Sequence, residues 1–184
     1  MRAWQLVGHR RFEFVDTPAP DVEDGQVMIR VEHASVCGSD THVNYDPVLP
    51  EERYPLPPGA PCHEVVGTIV ESRHPAHRIG TRAILLPENN PGRGYTSGGL
   101  AEYLVSGKVI PIPDHGSSAD WLMCQPMGTV MYATQEWGNA GGKRIAILGQ
   151  GAIGLAFTML AAKQGAQDVV VIDPLDYRLA RARE

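Results

Sequence analysis

The chain has 184 residues, 43% of them hydrophobic, with a formal net charge of -5 and a pI near 5.8. That length holds one ordinary domain, or one domain and part of a second, and the apolar fraction suffices for a buried core rather than disorder. The acidic balance excludes a nucleic-acid or anionic-membrane surface, which needs clustered Lys and Arg.

The first residues, Met1 to Gly8, carry no long apolar core or small-residue cleavage site, so no secretory signal is expected. The apolar runs fall short of the roughly 20 residues of a spanning helix. Three cysteines, Cys37, Cys62 and Cys124, are too few and odd in number for a disulfide framework. They suit a reducing compartment, where cysteine serves as metal ligand, catalytic group or small core residue. A cytoplasmic protein with neither nucleic-acid nor membrane partner is the expectation.

Fourteen of the fifteen prolines lie at or before Pro126, and only Pro174 lies beyond. Proline removes a backbone donor and fixes φ, so the front region cannot hold long uninterrupted helices or central strands. Short runs with strand character are Val27–Glu32, Val65–Glu71, Arg82–Leu86 and Ala101–Val105. In the first, Val27, Ile29 and Val31 alternate with Met28, Arg30 and Glu32, the period of a half-buried strand. Turn residues such as Asp24-Gly25 and Gly98-Gly99 separate the runs. An irregular antiparallel barrel or sandwich follows.

From about Ala119 to Trp137 the pattern is helical, with Pro126 a kink or a start. Asn139-Ala-Gly-Gly is a break. Arg144–Leu148 then reads as a buried strand, Gly149-Gln-Gly-Ala-Ile-Gly154 as a glycine turn, and Leu155–Gln164 as a helix. Asp168–Asp173 is a second buried strand, and another helix begins at Leu175. This is one βαβ unit, the opening of a doubly wound sheet. Only two strands of that sheet are present and Glu184 falls within helical sequence, so a truncated domain is expected.

The glycine turn has mechanical logic. Gly149 permits the tight turn, Gly151 lets backbone approach a pyrophosphate, and Gly154 allows close helix–strand contact. The phosphates would sit at the helix start, over Ala152 and Ile153, where N–H groups and the dipole favour negative charge. Asp173 follows Gly154 by 19 residues, close to the roughly 20 expected of a ribose-binding carboxylate. Such a carboxylate accepts from the ribose hydroxyls and repels a 2′-phosphate, which favours NAD over NADP.

Cys37-Gly-Ser-Asp-Thr-His42 and Cys62-His-Glu64 supply a thiolate, an imidazole and an adjacent carboxylate, ligand types that zinc takes. Each segment lies at the start or end of an expected strand. Together with Ile79-Gly-Thr-Arg82, Gly98-Gly-Leu-Ala-Glu-Tyr103 and the glycine turn with Asp173, they make the chain resemble the medium-chain dehydrogenase/reductase superfamily. The resemblance is to its zinc-dependent alcohol and polyol dehydrogenase branch, and it spans essentially the whole chain in order.

That resemblance implies a mixed fold. A GroES-like irregular β-barrel catalytic domain with its connecting helix would occupy residues 1–138, and the first βαβ unit of a Rossmann NAD-binding domain residues 139–184. Cys37 and His63 are implied as ligands of one catalytic zinc, with Glu64 a ligand or the partner of one. Ser39 corresponds to the hydroxyl that takes the substrate proton and His42 to the group that relays it. Asp40 would orient His63, and Arg178 would lie beside the adenosine ribose. A small alcohol or polyol would be the substrate, and the full-length parent a homo-oligomer.

The chain departs from the family pattern in two places. The branch's further ligand position falls at Cys124-Gln-Pro, where Gln125 replaces glutamate, a poor exchange for zinc; Cys37, His63 and Glu64 are therefore the preferred ligand set, with Cys124 as an alternative. The segment from Leu86 to Leu100 lacks the four cysteines of a structural zinc lobe, so no structural zinc is expected. Two other readings compete. A zinc-free relative of the quinone reductases would have no need of Cys37, His63 and Glu64, whereas a non-catalytic module would need neither cofactor. A truncated chain is expected to turn over alcohols poorly.

Overall fold

A computed structural model describes residues 1–86 and 98–184. The described residues divide into two compact units, Met1–Leu122 and Met123–Glu184. The stretch on which the expectation of no structural zinc rests lies mostly (87–97) outside the described residues.

The first unit opens with a hairpin, β1 (Arg2–Gly8) against β2 (Arg11–Asp16). The sheet that follows is built from β3 (Val27–Ser35), β4 (Glu64–Ser72), β5 (Arg82–Leu85), β6 (Tyr103–Ser106) and β7 (Val109–Pro111). Its order is β6-β3-β4-β5-β7, antiparallel throughout. The longest strands, β3 and β4, pair at the centre, and two register shifts along their ladder bend it.

Side chains on successive residues of β4 point to opposite faces. Val65 and Ile69 join Val27, Ile29, Leu85 and Leu104 in the main core, while Val66 packs with Ile84 and Leu122 on the other face. Each fully buried Ile, Leu or Val contributes about 1.5–3 kcal/mol of transfer free energy, which is why so short a set of strands holds together. The hairpin closes onto the sheet through an Ala3–Ala101 bridge and the Trp4 N–H donated to Leu100 carbonyl oxygen at 2.8 Å.

Between β3 and β4 the chain makes a helical turn, α1 (Gly38–Asp40), which widens directly into a π-helical turn at Thr41–Tyr45. Sequence periodicity carries no signal for so short an element. The hairpin β1–β2 and the strand β7 also lie outside the expected strands; β7 is only three residues long and ends in Pro111.

The helix expected over 119–137 is two pieces, α2 (Ser118–Leu122) and α3 (Cys124–Trp137). Pro126 sits in the first turn of α3, where its missing N–H costs nothing. The first piece packs on the sheet of the first unit, whereas α3 belongs to the second unit; the expected boundary at 138 treats it as part of the front domain. After α3, β8 (Arg144–Leu148) and β9 (Asp168–Ile172) pair in parallel around α4 (Ala152–Lys163), with α5 (Asp176–Ala182) following. A parallel pair requires a crossover, and α4 is that crossover. No described helix is long and apolar enough to cross a membrane.

Candidate metal centre and dinucleotide turn

Cys37 follows the end of β3, His63 immediately precedes β4 and Glu64 begins it. Because these strands are antiparallel neighbours, the end of one lies beside the start of the other. One potential ligand atom from each of Cys37, His63 and Glu64 lies within 4.8 Å of the others. His63 and Glu64 are each 7% exposed and Cys37 is half-buried. A thiolate, an imidazole and a carboxylate, converging and partly shielded from water, fit zinc chemically.

Asp40 organises the group from behind. Its Oδ1 lies 2.8 Å from His63 Nδ1, and its Oδ2 accepts the Cys37 backbone N–H at 2.9 Å. The residue is only 1% exposed, so this buried carboxylate is satisfied by two of the site's own groups. Its hydrogen bond to the ring, aided by its charge, holds the His63 pKa above the ordinary range against the opposing pull of burial. In metal sites such a carboxylate–histidine contact fixes the ring orientation of the ligating imidazole. Beside Asp40 lies an apolar cavity of about 150 Å³ lined by Phe12, Val36, Tyr45, Pro61 and Leu100.

Glu64 receives a hydrogen bond on Oε2 from the Ser35 hydroxyl. Burial pushes the Cys62 thiol up to about 12, so it stays protonated and donates to the Ser35 carbonyl oxygen at 3.3 Å. Cys62 is a core residue, 1% exposed, packed with Val65 and Leu104.

Ser39 and His42 lie on the α1 and π-helical turn, and both are exposed. The Asp46 carboxyl near them is held below its ordinary range, first by hydrogen bonding to Arg10 and then by the charges of Arg10, His42 and His9. Cys124 opens α3 in the second unit and is exposed.

In the second unit the glycine turn joins β8 to α4. Gly149 has φ +87°, and a Cβ on Gly154 would fall 1.8 Å from the Gly149 carbonyl oxygen. That close approach is what brings the start of α4 against the end of β8. Gln150, 1% exposed, answers by donating from Nε2 to that carbonyl at 3.0 Å, while its Oε1 accepts from the Thr158 hydroxyl at 2.9 Å. The early N–H groups of α4, from Ala152, Ile153 and Gly154, have no carbonyl partner within the helix.

Asp173 ends β9 and its carboxylate turns back into this loop. Oδ2 accepts the Gln150 N–H at 2.6 Å and Oδ1 the Leu175 N–H at 2.9 Å, with Arg178 Nη1 at 3.5 Å. The Gln150 N–H is the largest influence holding its pKa down, followed by the Leu175 N–H and then Arg178. Sequence spacing singles out Gly149, Gly154 and Asp173, and the family resemblance Arg178, but neither points to Gln150, Thr158 or Ser35. The one signal at Gln150 is a large polar residue inside an otherwise glycine-rich and apolar turn.

Residues 23–114 match the family described as alcohol dehydrogenase GroES-like domain. The L-threonine 3-dehydrogenase of Chromobacterium violaceum is 29% identical over 196 residues, covering 94% of this chain and 57% of that protein. An alcohol dehydrogenase of Cupriavidus necator is 27% identical over 228 residues, covering all of this chain and 61% of the other. The crystal structure of galactitol-1-phosphate dehydrogenase from Escherichia coli shares the fold, with a TM-score of 0.82 at 21% identity over 100% of this chain and 58% of that one. The chain thus spans less than two thirds of the length of these relatives.

Proposed function

The chain belongs to the alcohol dehydrogenase GroES-like domain family of the zinc-dependent medium-chain dehydrogenases/reductases, and from that premise we propose that it serves NAD-dependent oxidation of a small alcohol or polyol. The observation that carries the reading is the convergence of Cys37, His63 and Glu64 within 4.8 Å. A zinc-free reductase or a binding module has no use for a thiol, an imidazole and a carboxylate gathered in one shielded place.

Cys37 Sγ, His63 Nε2 and a Glu64 oxygen would hold zinc. When bound, zinc supplies a Lewis acid that acidifies the substrate hydroxyl, and NAD supplies the hydride acceptor. The protein's own part is positional and protolytic. Asp40 keeps the His63 ring turned toward the site, Ser39 Oγ takes the substrate's hydroxyl proton, and a ring nitrogen of His42 passes it to water. The exposure of Ser39 and His42 suits that last hand-over.

The cofactor end rests on the turn. Gly149, Gly151, Ala152, Ile153 and Gly154 would receive the pyrophosphate at the start of α4. Asp173 would face the adenosine ribose beside Arg178 and disfavour a 2′-phosphate. In this reading residues 1–138 form the catalytic portion and 139–184 the start of a Rossmann domain, in a cytoplasmic homo-oligomer.

Zinc per chain, measured by elemental mass spectrometry on the purified protein with Cys37→Ala as control, tests the metal half. About one zinc in the parent and none in the variant is expected. A folded parent that takes up no zinc would defeat the proposal.

A further inference from the structure

The β3–β4 ladder ends on Ser35 directly opposite Glu64. Directly opposed residues have Cβ atoms about 4.5–5.5 Å apart on the same face, which puts a hydroxyl within reach of a carboxylate. The structure makes that contact, Ser35 Oγ donating to Glu64 Oε2. We infer that Ser35 is a positioning residue for the metal site, holding the Glu64 carboxylate in the orientation from which it ligates; the inference rests on the ligand set proposed above.

Three features give the contact its force. Ser35 lies two residues before Cys37 on the same strand exit, so the group that orients one ligand is covalently tied to another. Its backbone is held from the other side by the Cys62 thiol, next to His63. Glu64 is 7% exposed, so water substitutes poorly for a lost hydroxyl. An ionised carboxylate has about four acceptor sites, and one O–H leaves the remainder for a cation.

Charge distribution explains why Glu64 needs its own holder. Asp40 is satisfied by His63 and the Cys37 N–H. Glu64 stands near the same thiol and imidazole, and none of the ion pairs among the described residues joins it to an arginine or lysine. Without a donor to fix it, its carboxylate would rotate among several orientations, and metal binding would have to freeze that freedom out. Serine at this position supplies a donor without adding charge.

The test is the zinc dissociation constant of the purified chain, read by competition with a chromophoric chelator, for the parent and for Ser35→Ala, Ser35→Thr, Glu64→Ala and the Ser35→Ala/Glu64→Ala pair. Loss of a hydrogen bond to a ligating carboxylate weakens metal binding about 10–100-fold; that loss is expected for Ser35→Ala, with Ser35→Thr close to the parent. In the Glu64→Ala background the Ser35 substitution should have no further effect, a coupling that a merely structural role would not produce. Ser35→Gly duplicates the readout if the alanine variant fails to fold.

An unchanged or tighter constant for Ser35→Ala, with Glu64→Ala weakened, overturns the Ser35 inference alone. An equal loss in both backgrounds overturns it too. If Glu64→Ala binds zinc as the parent does while Cys37→Ala does not, the proposed ligand set fails first and the role of Ser35 with it.

Discussion

Asp40 and His63 stand 23 residues apart in the chain, yet a carboxylate oxygen of one lies 2.8 Å from Nδ1 of the other. The contact is made possible by the helical turn after Cys37, which folds Asp40 back under the strand exit so that its second oxygen also receives the Cys37 N–H. One buried side chain thereby indexes two residues of the proposed ligand set to each other. Removing it would free the imidazole ring and orphan a backbone donor at once.

Asp40→Ala should therefore weaken zinc binding about 10–100-fold. A chelator competition titration reads the effect directly. Retention of the parent affinity by a folded Asp40→Ala chain would mean that the ring is oriented by packing alone.

Gly154→Ala should abolish dinucleotide binding, because the added methyl would fall 1.8 Å from the Gly149 carbonyl oxygen. The turn must then open or α4 must lift from β8, and either scatters the N–H groups meant for pyrophosphate. Calorimetric titration with NAD checks this, and the zinc content of the variant should match the parent, since that site lies in the other unit.

Asp173 governs the choice between NAD and NADP in the proposed reading. Backbone N–H groups and Arg178 hold its carboxyl below the usual range, so it stays charged through neutral pH and discrimination should fade only on acidification through that lowered pKa. Asp173→Asn should raise the NADP-to-NAD affinity ratio by about 10-fold or more, equivalent to roughly 1.4 kcal/mol. A ratio that does not move would place the 2′-position elsewhere.

Glu32 supports the first unit through an electrostatic latch on α2. Its carboxylate accepts from the Thr68 hydroxyl at 2.6 Å and from Ser118, and Arg82 Nη2 donates to Ser118 Oγ at 2.8 Å. Bonding to Ser118 and then Thr68 lowers its pKa. A lowered folded-state value contributes stability above the unfolded pKa, about 4.3 for glutamate, and that contribution is lost as pH falls through the folded value. With the side chain 24% exposed, Glu32→Gln should cost about 1 kcal/mol near neutrality. The gap between the two melting temperatures should close in acid; a gap that persists below that window would assign the effect to packing.

The residues proposed to carry the chemistry stand out in the sequence because their types and spacing are chemical requirements. Zinc needs soft and imidazole donors, hence Cys37 and His63; a pyrophosphate needs a turn without side chains, hence Gly149, Gly151 and Gly154. The central strands were legible for a similar reason, since burial on alternating faces imposes a period on Val27, Ile29 and Val31. The α1 turn and the break at Met123 were not, because each is too short to show a period.

By itself the sequence determined which atoms could act: a thiol, an imidazole, several carboxylates, a glycine turn. Only the tertiary structure decided which of them meet and what holds them. Strand register sets Ser35 opposite Glu64, and the helical turn brings Asp40 to His63. Those contacts join residues far apart in the chain, and nothing in the local pattern of either partner encodes the other; they exist because burying the apolar faces of β3 and β4 leaves one register in which the polar groups at the strand ends can all find partners.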